Sequence, residues 1–294
     1  MPTASSNGIE LYYETNGSPD DPALLLVNGY SSQLLQWGEE FRQGLADNGR
    51  YVICFDNRDV GLSTHLDGVE VDIDAVMSAT AGSGDLPEVP YTLSSFGDDA
   101  VGLLDHLGID AAHIAGSSMG GMIVQQMAID HPDRVLTMTS IMSTTSEPGY
   151  FESTPEAMEA LTGERPTERD AYITDAVERA AVFSSSRYYD RTEAAAKTAA
   201  AYDRAFYPEG MIRQMAAVRG SADRSEGLGK LNIPTLVIHG RDDSLIMPQG
   251  GERTAELIPG ANLMMLHDMG HDLPSPLWPL IIDSIISHTS HAIG

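Results

Sequence analysis

With 294 residues, 42% of them apolar and 20% charged, the chain has the make-up of a folded globular protein and not of a disordered one. Lys plus Arg number 17 and Asp plus Glu 43, a formal net charge of −26; such a surface repels phosphate backbones and anionic lipid, which argues against nucleic-acid and membrane partners. Cys54 is the lone cysteine, so no intramolecular disulfide can form and a reducing compartment is acceptable.

Residues 1–7 lack the basic and apolar regions of a signal peptide, and no apolar run approaches the ~20 residues needed to span a bilayer. A soluble, cytoplasmic protein is expected. The only lysines are Lys197 and Lys230. An acidic, lysine-poor surface also suits salty surroundings, where counterions screen self-repulsion; a melting temperature indifferent to molar NaCl would contradict that expectation.

In chain order, a strand is predicted at Ile9-Glu10-Leu11-Tyr12-Tyr13, and further short apolar runs bounded by turn residues follow at 23–27, 51–55, 113–115, 135–142, 235–238 and 263–266. Several are apolar at successive positions, as in strands buried on both faces of a parallel sheet. Between them lie helical patterns, the clearest being Phe96, Ala100, Leu103, Leu104 and Leu107 on one face. This alternation predicts an open α/β sheet, mostly parallel and flanked by helices. It breaks between about 144 and 229, where stretches such as 193–201 and 211–218 favour helix and no strand is evident. The expected organisation is therefore a core of 1–143 and 229–294 interrupted by a helical insertion at 144–228. The irregular stretch 66–90, with Ala81-Gly82-Ser83-Gly84-Asp85-Leu86-Pro87, is long for a connection and reads as a mobile surface loop or a functional lid.

The segment Gly116-Ser117-Ser118-Met119-Gly120 is a G-x-S-x-G motif between a short strand and a helical pattern (Met119, Ile123, Met127). That context places a serine on a sharp turn, with small residues two places either side so that strand and helix can approach. Only Ser118 has glycine at both positions, so Ser118 and not Ser117 is the candidate nucleophile. A serine hydroxyl needs a base, and the base an orienting acid. Downstream, the strand at 235–238 runs into His239-Gly240-Arg241-Asp242-Asp243, and the strand ending at Leu266 runs into His267-Asp268-Met269-Gly270-His271-Asp272. Serine, acid and histidine thus follow in chain order, each just after a strand's carboxyl end, where open α/β sheets place their sites.

With Asn28-Gly29-Tyr30 after the first long apolar strand, Asp56-Asn57-Arg58-Asp59-Val60-Gly61-Leu62-Ser63, the serine elbow and the two C-terminal loops, the chain resembles the α/β-hydrolase family. The resemblance is greatest to its cap-bearing serine esterase branch, which includes the aclacinomycin methylesterase-like members. It implies the α/β-hydrolase fold with a helical cap, Ser118 as nucleophile, His271 as base and Asp243, within the family's G-x-x-D-x-x-x-x-P loop at 240–248, as acid. Asp242, one place early, is left as a solvated loop acid. The oxyanion hole is expected from the backbone N–H groups of Met119 and Tyr30; this chain has Asn28-Gly29 where the family usually has His-Gly. Asp56, Arg58 and Ser63 belong to a loop that is usually structural. Gly29, Met142 and Met247 are candidate pocket residues, since methionine adapts to irregular apolar ligands, with core filling as the alternative. The implied reaction is two-step acyl transfer on small to medium carboxylic esters; lactonase, thioesterase, C–C bond hydrolase, acyltransferase and perhydrolase share the triad, and a slow-turnover receptor of the same fold is a further alternative. No metal or cofactor is implied, because no histidine and carboxylate cluster has ligand spacing. The expected partner is a small-molecule ester; the sequence carries no signal for oligomeric state.

Overall fold

A computed structural model describes residues 2–78 and 88–291. Eight strands form one sheet in the order β1-β2-β4-β3-β5-β6-β7-β8: β1 (Thr3–Ser6), β2 (Ile9–Asn16), β3 (Ala23–Val27), β4 (Tyr51–Phe55), β5 (Ala112–Ser117), β6 (Val135–Ile141), β7 (Thr235–Gly240) and β8 (Asn262–Leu266). β2 pairs antiparallel with both β1 and β4, and every other pairing is parallel. Helices α1 (Glu39–Asp47), α2 (Ile73–Ser78), α3 (Leu93–His106), α4 (Met119–Asp130), α10 (Gln249–Leu257) and α11 (Trp278–His291) accompany the strands, while α5 (Pro155–Thr162), α6 (Arg169–Phe183), α7 (Arg191–Ala205), α8 (Pro208–Arg219) and the short α9 (Ser225–Leu228) follow one another between β6 and β7.

The central strands β3 and β4 lack a polar face because both faces are covered. In β3, Leu25 and Val27 enter the apolar cluster formed with Phe96, Leu103 and Leu104 of α3 and Ile123 and Met127 of α4, whereas Leu24 and Leu26 enter the opposite cluster with Phe41 and Leu45 of α1 and Ile281 and Ile285 of α11. Each fully buried leucine contributes roughly 2 kcal/mol of transfer free energy. The fold is the expected one, and among the described residues no strand lies between β6 and β7.

The irregular reading of 66–90 needs amendment. Residues 73–78 form α2, against which α8 packs, and Val76 is buried. Residues 81–87 lie outside the described residues. No described helix is long and apolar enough to cross a membrane.

Topology fixes where a site can form. From β3 the chain crosses to β4 on one side, yet β5 pairs with β3 on the other; the loops leaving β3 and β5 therefore diverge and open a crevice at the strands' carboxyl ends. With Val27 opposite Gly116, residues 28–30 and 117–119 come side by side.

Candidate active site

Ser118 joins β5 to α4 with φ 56° and ψ −120°, a conformation costly for a residue with a side chain. The surroundings leave no alternative. A Cβ on Gly116 would lie 2.1 Å from the Gly120 carbonyl oxygen, and one on Gly120 would lie 2.1 Å from that of Val27. The two glycines let helix, turn and neighbouring strand close on one another, and the serine is left projecting from the turn.

His271 and Asp243 meet it there. The Ser118 Oγ stands 2.8 Å from His271 Nε2, and His271 Nδ1 stands 2.7 Å from Asp243 Oδ2. Proton positions follow from the acid. Burial alone would raise the Asp243 carboxyl, but the charge of His271 and hydrogen bonds from His239 and His271 outweigh it and hold it down at about 2. An ionised carboxylate only accepts; His271 Nδ1 therefore carries its proton, and the Nε2 lone pair faces the serine hydroxyl. The remaining carboxylate oxygen accepts from the backbone N–H groups of Leu245 and Ile246, each at 2.9 Å. Asp242 is exposed and takes no part.

The turn after β3 is anchored from below. Asn28, fully buried, donates through Nδ2 to the Phe55 carbonyl, and its own carbonyl accepts from Asn57 Nδ2. The amide of Gly29 is taken by Gln36 Oε1 and that of Ser31 by Gln214 Oε1, while Gln36 Nε2 donates to Ser117 Oγ. Between them the Tyr30 N–H, like the Met119 N–H, has no hydrogen-bond acceptor among the described residues. Two free donors thus flank Ser118, the arrangement that stabilises a developing oxyanion.

Gly29, Tyr30, Ser118, Met119 and His271 line one cavity of about 390 Å³. Met122, Met142, Phe151, Met158, Leu161, Met215, Val218 and Ile246 give it apolar walls, and the exposed Asp190, Glu193 and Lys197 of the α7 region lie on its solvent side. Of the methionines weighed from sequence, Met142 lines the cavity. Met247 does not: its backbone is bonded to Glu152 and its sulfur lies beside Gln249. Among the described residues no group of three or more histidine, cysteine or carboxylate side chains gathers as a metal site.

A match to the family model described as the α/β hydrolase fold spans residues 22–274. The chain belongs to that family. It is 28% identical to rhodomycin D methylesterase of Streptomyces sp. (strain C5), covering 99% of both chains, and 27% identical to 3-oxoadipate enol-lactonase 2 of Acinetobacter baylyi, covering 90% of this chain and 87% of that one. Among solved structures, the enol-lactonase from Burkholderia xenovorans LB400 superposes with a TM-score of 0.75 at 24% identity, covering 98% of this chain and 100% of its own. An α/β-hydrolase esterase resemblance read from motifs therefore agrees with the methylesterase relatives.

The Asp56 to Ser63 loop ties elements together. Arg58 makes a two-pronged pair with Asp99 at 2.6 and 2.7 Å. Asp56 accepts from the amides of Leu34 and Leu62 and pairs with Arg204 of α7 at 2.7 Å. Asp59 binds Arg213 of α8 through both oxygens and also accepts from the Tyr91 hydroxyl.

Two site residues escaped the sequence reading. His239 is fully buried beside Asp243, its Nε2 2.8 Å from the Ile246 carbonyl and 3.5 Å from Asp243 Oδ2; a histidine inside an apolar strand gave only its adjacency to the G-x-x-D loop as a signal. Asp272, next to His271, accepts from the amides of Ser185 and Gly270, and burial pushes its carboxyl up to about 6 against those bonds.

Proposed function

We propose that the protein is a serine carboxylesterase hydrolysing small to medium carboxylic esters through an acyl-enzyme. The observation that carries the reading is the aligned chain from Ser118 Oγ to His271 Nε2 at 2.8 Å and from His271 Nδ1 to Asp243 Oδ2 at 2.7 Å, opening onto an apolar cavity beside two unused amides. His271 takes the Ser118 proton as the oxygen attacks the ester carbonyl; Asp243 orients the imidazole and stabilises its charged form. The carbonyl oxygen, gaining charge, is received by the N–H groups of Tyr30 and Met119, each such donor being worth about 10²–10³ in rate. His271 then protonates the departing alcohol, and a water it deprotonates releases the acid. The kinship to a methylesterase supports ester over amide as the bond attacked, and residues 144–228 act as the cap that covers the reaction.

A fluorophosphonate probe is expected to label the wild type and not Ser118→Ala, and short p-nitrophenyl esters to be cleaved over many turnovers. Labelling without turnover would instead favour a receptor of the same fold; absence of labelling would remove the assignment of the nucleophile.

A further inference from the structure

The cations of this chain are outnumbered by acids, 17 to 43, and almost every one is claimed. Even the exposed Arg169, Arg187 and Arg191 hold carboxylates, while the buried Arg224, which lacks one, is held by Gln125, the Thr144 carbonyl and Ser146. Arg241, which has no side-chain partner among the described residues, is exposed to solvent; Arg219 is different. It ends α8, it is half-buried, and it lines the same cavity as Ser118. Among the described residues it has neither a carboxylate nor a hydrogen-bond partner, and its Nε is buried and unsatisfied. Its contact is the Phe151 ring, whose centroid lies 5.2 Å from Cζ. Burial lowers its pKa.

An unpaired guanidinium removed from water is a standing cost that one aromatic face only partly offsets. Its fork of donors matches a carboxylate in two-pronged geometry. The walls beside it, Phe151, Met215 and Val218, are apolar and suit a hydrocarbon spacer. Arg165 adds positive charge to the same cavity, its own bond being a long 3.5 Å contact to the Ala160 carbonyl. In a protein of net charge −26, a cationic site inside the cavity opposes the surface field and so serves a ligand that the surface alone would repel.

We propose that Arg219 is an anion subsite and that the preferred substrates are esters bearing a carboxylate separated from the scissile carbonyl by an apolar spacer. The substrate class rests on the ester-hydrolase reading above; the anion subsite does not.

The test therefore has two arms. In the first, kcat/KM is measured for monomethyl glutarate, adipate and suberate against methyl pentanoate, hexanoate and octanoate. The wild type is expected to favour the best acid ester over its chain-matched neutral ester. Arg219→Gln is expected to reduce that ratio at least tenfold, mainly through KM, and Arg219→Lys, which keeps charge without the fork, to fall between. In the second arm, which needs no turnover, binding of the three monomethyl esters to Ser118→Ala is followed by calorimetry and should weaken at least tenfold when Arg219→Gln is added. Should the Gln variant misfold, hexanoate but not 1-hexanol is expected to slow fluorophosphonate labelling of the wild type. Equal losses on acid and neutral esters, no wild-type preference, or unchanged calorimetric binding would overturn the subsite. Binding that depends on Arg219 without hydrolysis of any ester would instead leave the subsite standing and discard the ester-hydrolase reading.

Discussion

The sheet with its loops and the helices α6 and α7 are held by different forces. Around β3 and β5 almost everything is apolar contact and backbone fit, and the loops bearing Ser118, Asp243 and His271 are fixed by amides, carbonyls and glycine clearances. By contrast α6 buries only Val177 and α7 buries no residue. These two helices are tied down by long-range polar links: Arg204 to Asp56, Gln33 to the carbonyls of Ala201 and Ala205, and the amide of His271 to the carbonyl of Phe183; α8 instead buries most of its residues, with Ala217 and Val218 in the core, and adds the Arg213–Asp59 pair. The Ser118, His271 and Asp243 side chains thus sit on the part of the molecule that packing makes unique, and the side of the cavity formed by Phe183, Glu193, Ala194 and Lys197 sits on the part held by a few polar ties.

The largest expected effect breaks the rigid side. Ser118→Ala should lower kcat by about 10⁴-fold or more, and Asp243→Asn, which loses the acceptor that fixes the imidazole proton on Nδ1, by about 10⁴-fold, both with the urea midpoint little changed; retention of a tenth of the wild-type rate by either would disprove the division of labour. Among the polar ties, Arg213→Met leaves Asp59 buried and uncompensated and should cost about 3–5 kcal/mol in urea unfolding. Arg187→Ala is the counterpart. That arginine is 63% exposed in its pair with Asp268, and its removal should stay within about 0.5 kcal/mol. Equal losses in the two variants would mean that the buried tie is worth no more than the exposed one.

The smallest effect lies where the regions touch. Asp272, whose side chain bonds the Ser185 amide just past α6, is neutral below about pH 6 and charged above it. Burial holds that carboxyl above its ordinary value, so the folded chain binds the proton more readily than the unfolded chain does, and stability falls as pH rises from about 4 to about 6. Asp272→Asn should flatten that slope in urea midpoints taken across this range; an unchanged slope would show that burial does not act on this carboxyl.

The same division decides what could be read in advance. Several strands apolar at successive positions announced a sheet covered on both faces, and the glycines at 116 and 120 marked where strand and helix approach, so the fold and the turn at Ser118 were legible, while Asp243 and His271 were singled out by the resemblance of their loops. The Arg213–Asp59 tie joins residues 154 positions apart and has no local signature. Nor does the orphaned state of Arg219, which is a property of what surrounds it. α2 was obscured by a turn-rich segment, and Met247 was misplaced because proximity to a site loop says nothing about which way the chain faces.

The missing side chain of Gly120 has a last consequence. Its Cα abuts the end of β3, where a methyl group would stand 2.1 Å from the Val27 oxygen and 2.7 Å from that of Asn28. The elbow and the Tyr30 turn thereby share a partition with no spare thickness, and displacing one drags the other. Evolution or a protein engineer can reshape the cavity from the helical side, one residue at a time; along this partition even a single added carbon would move the Ser118 turn and the Tyr30 turn apart.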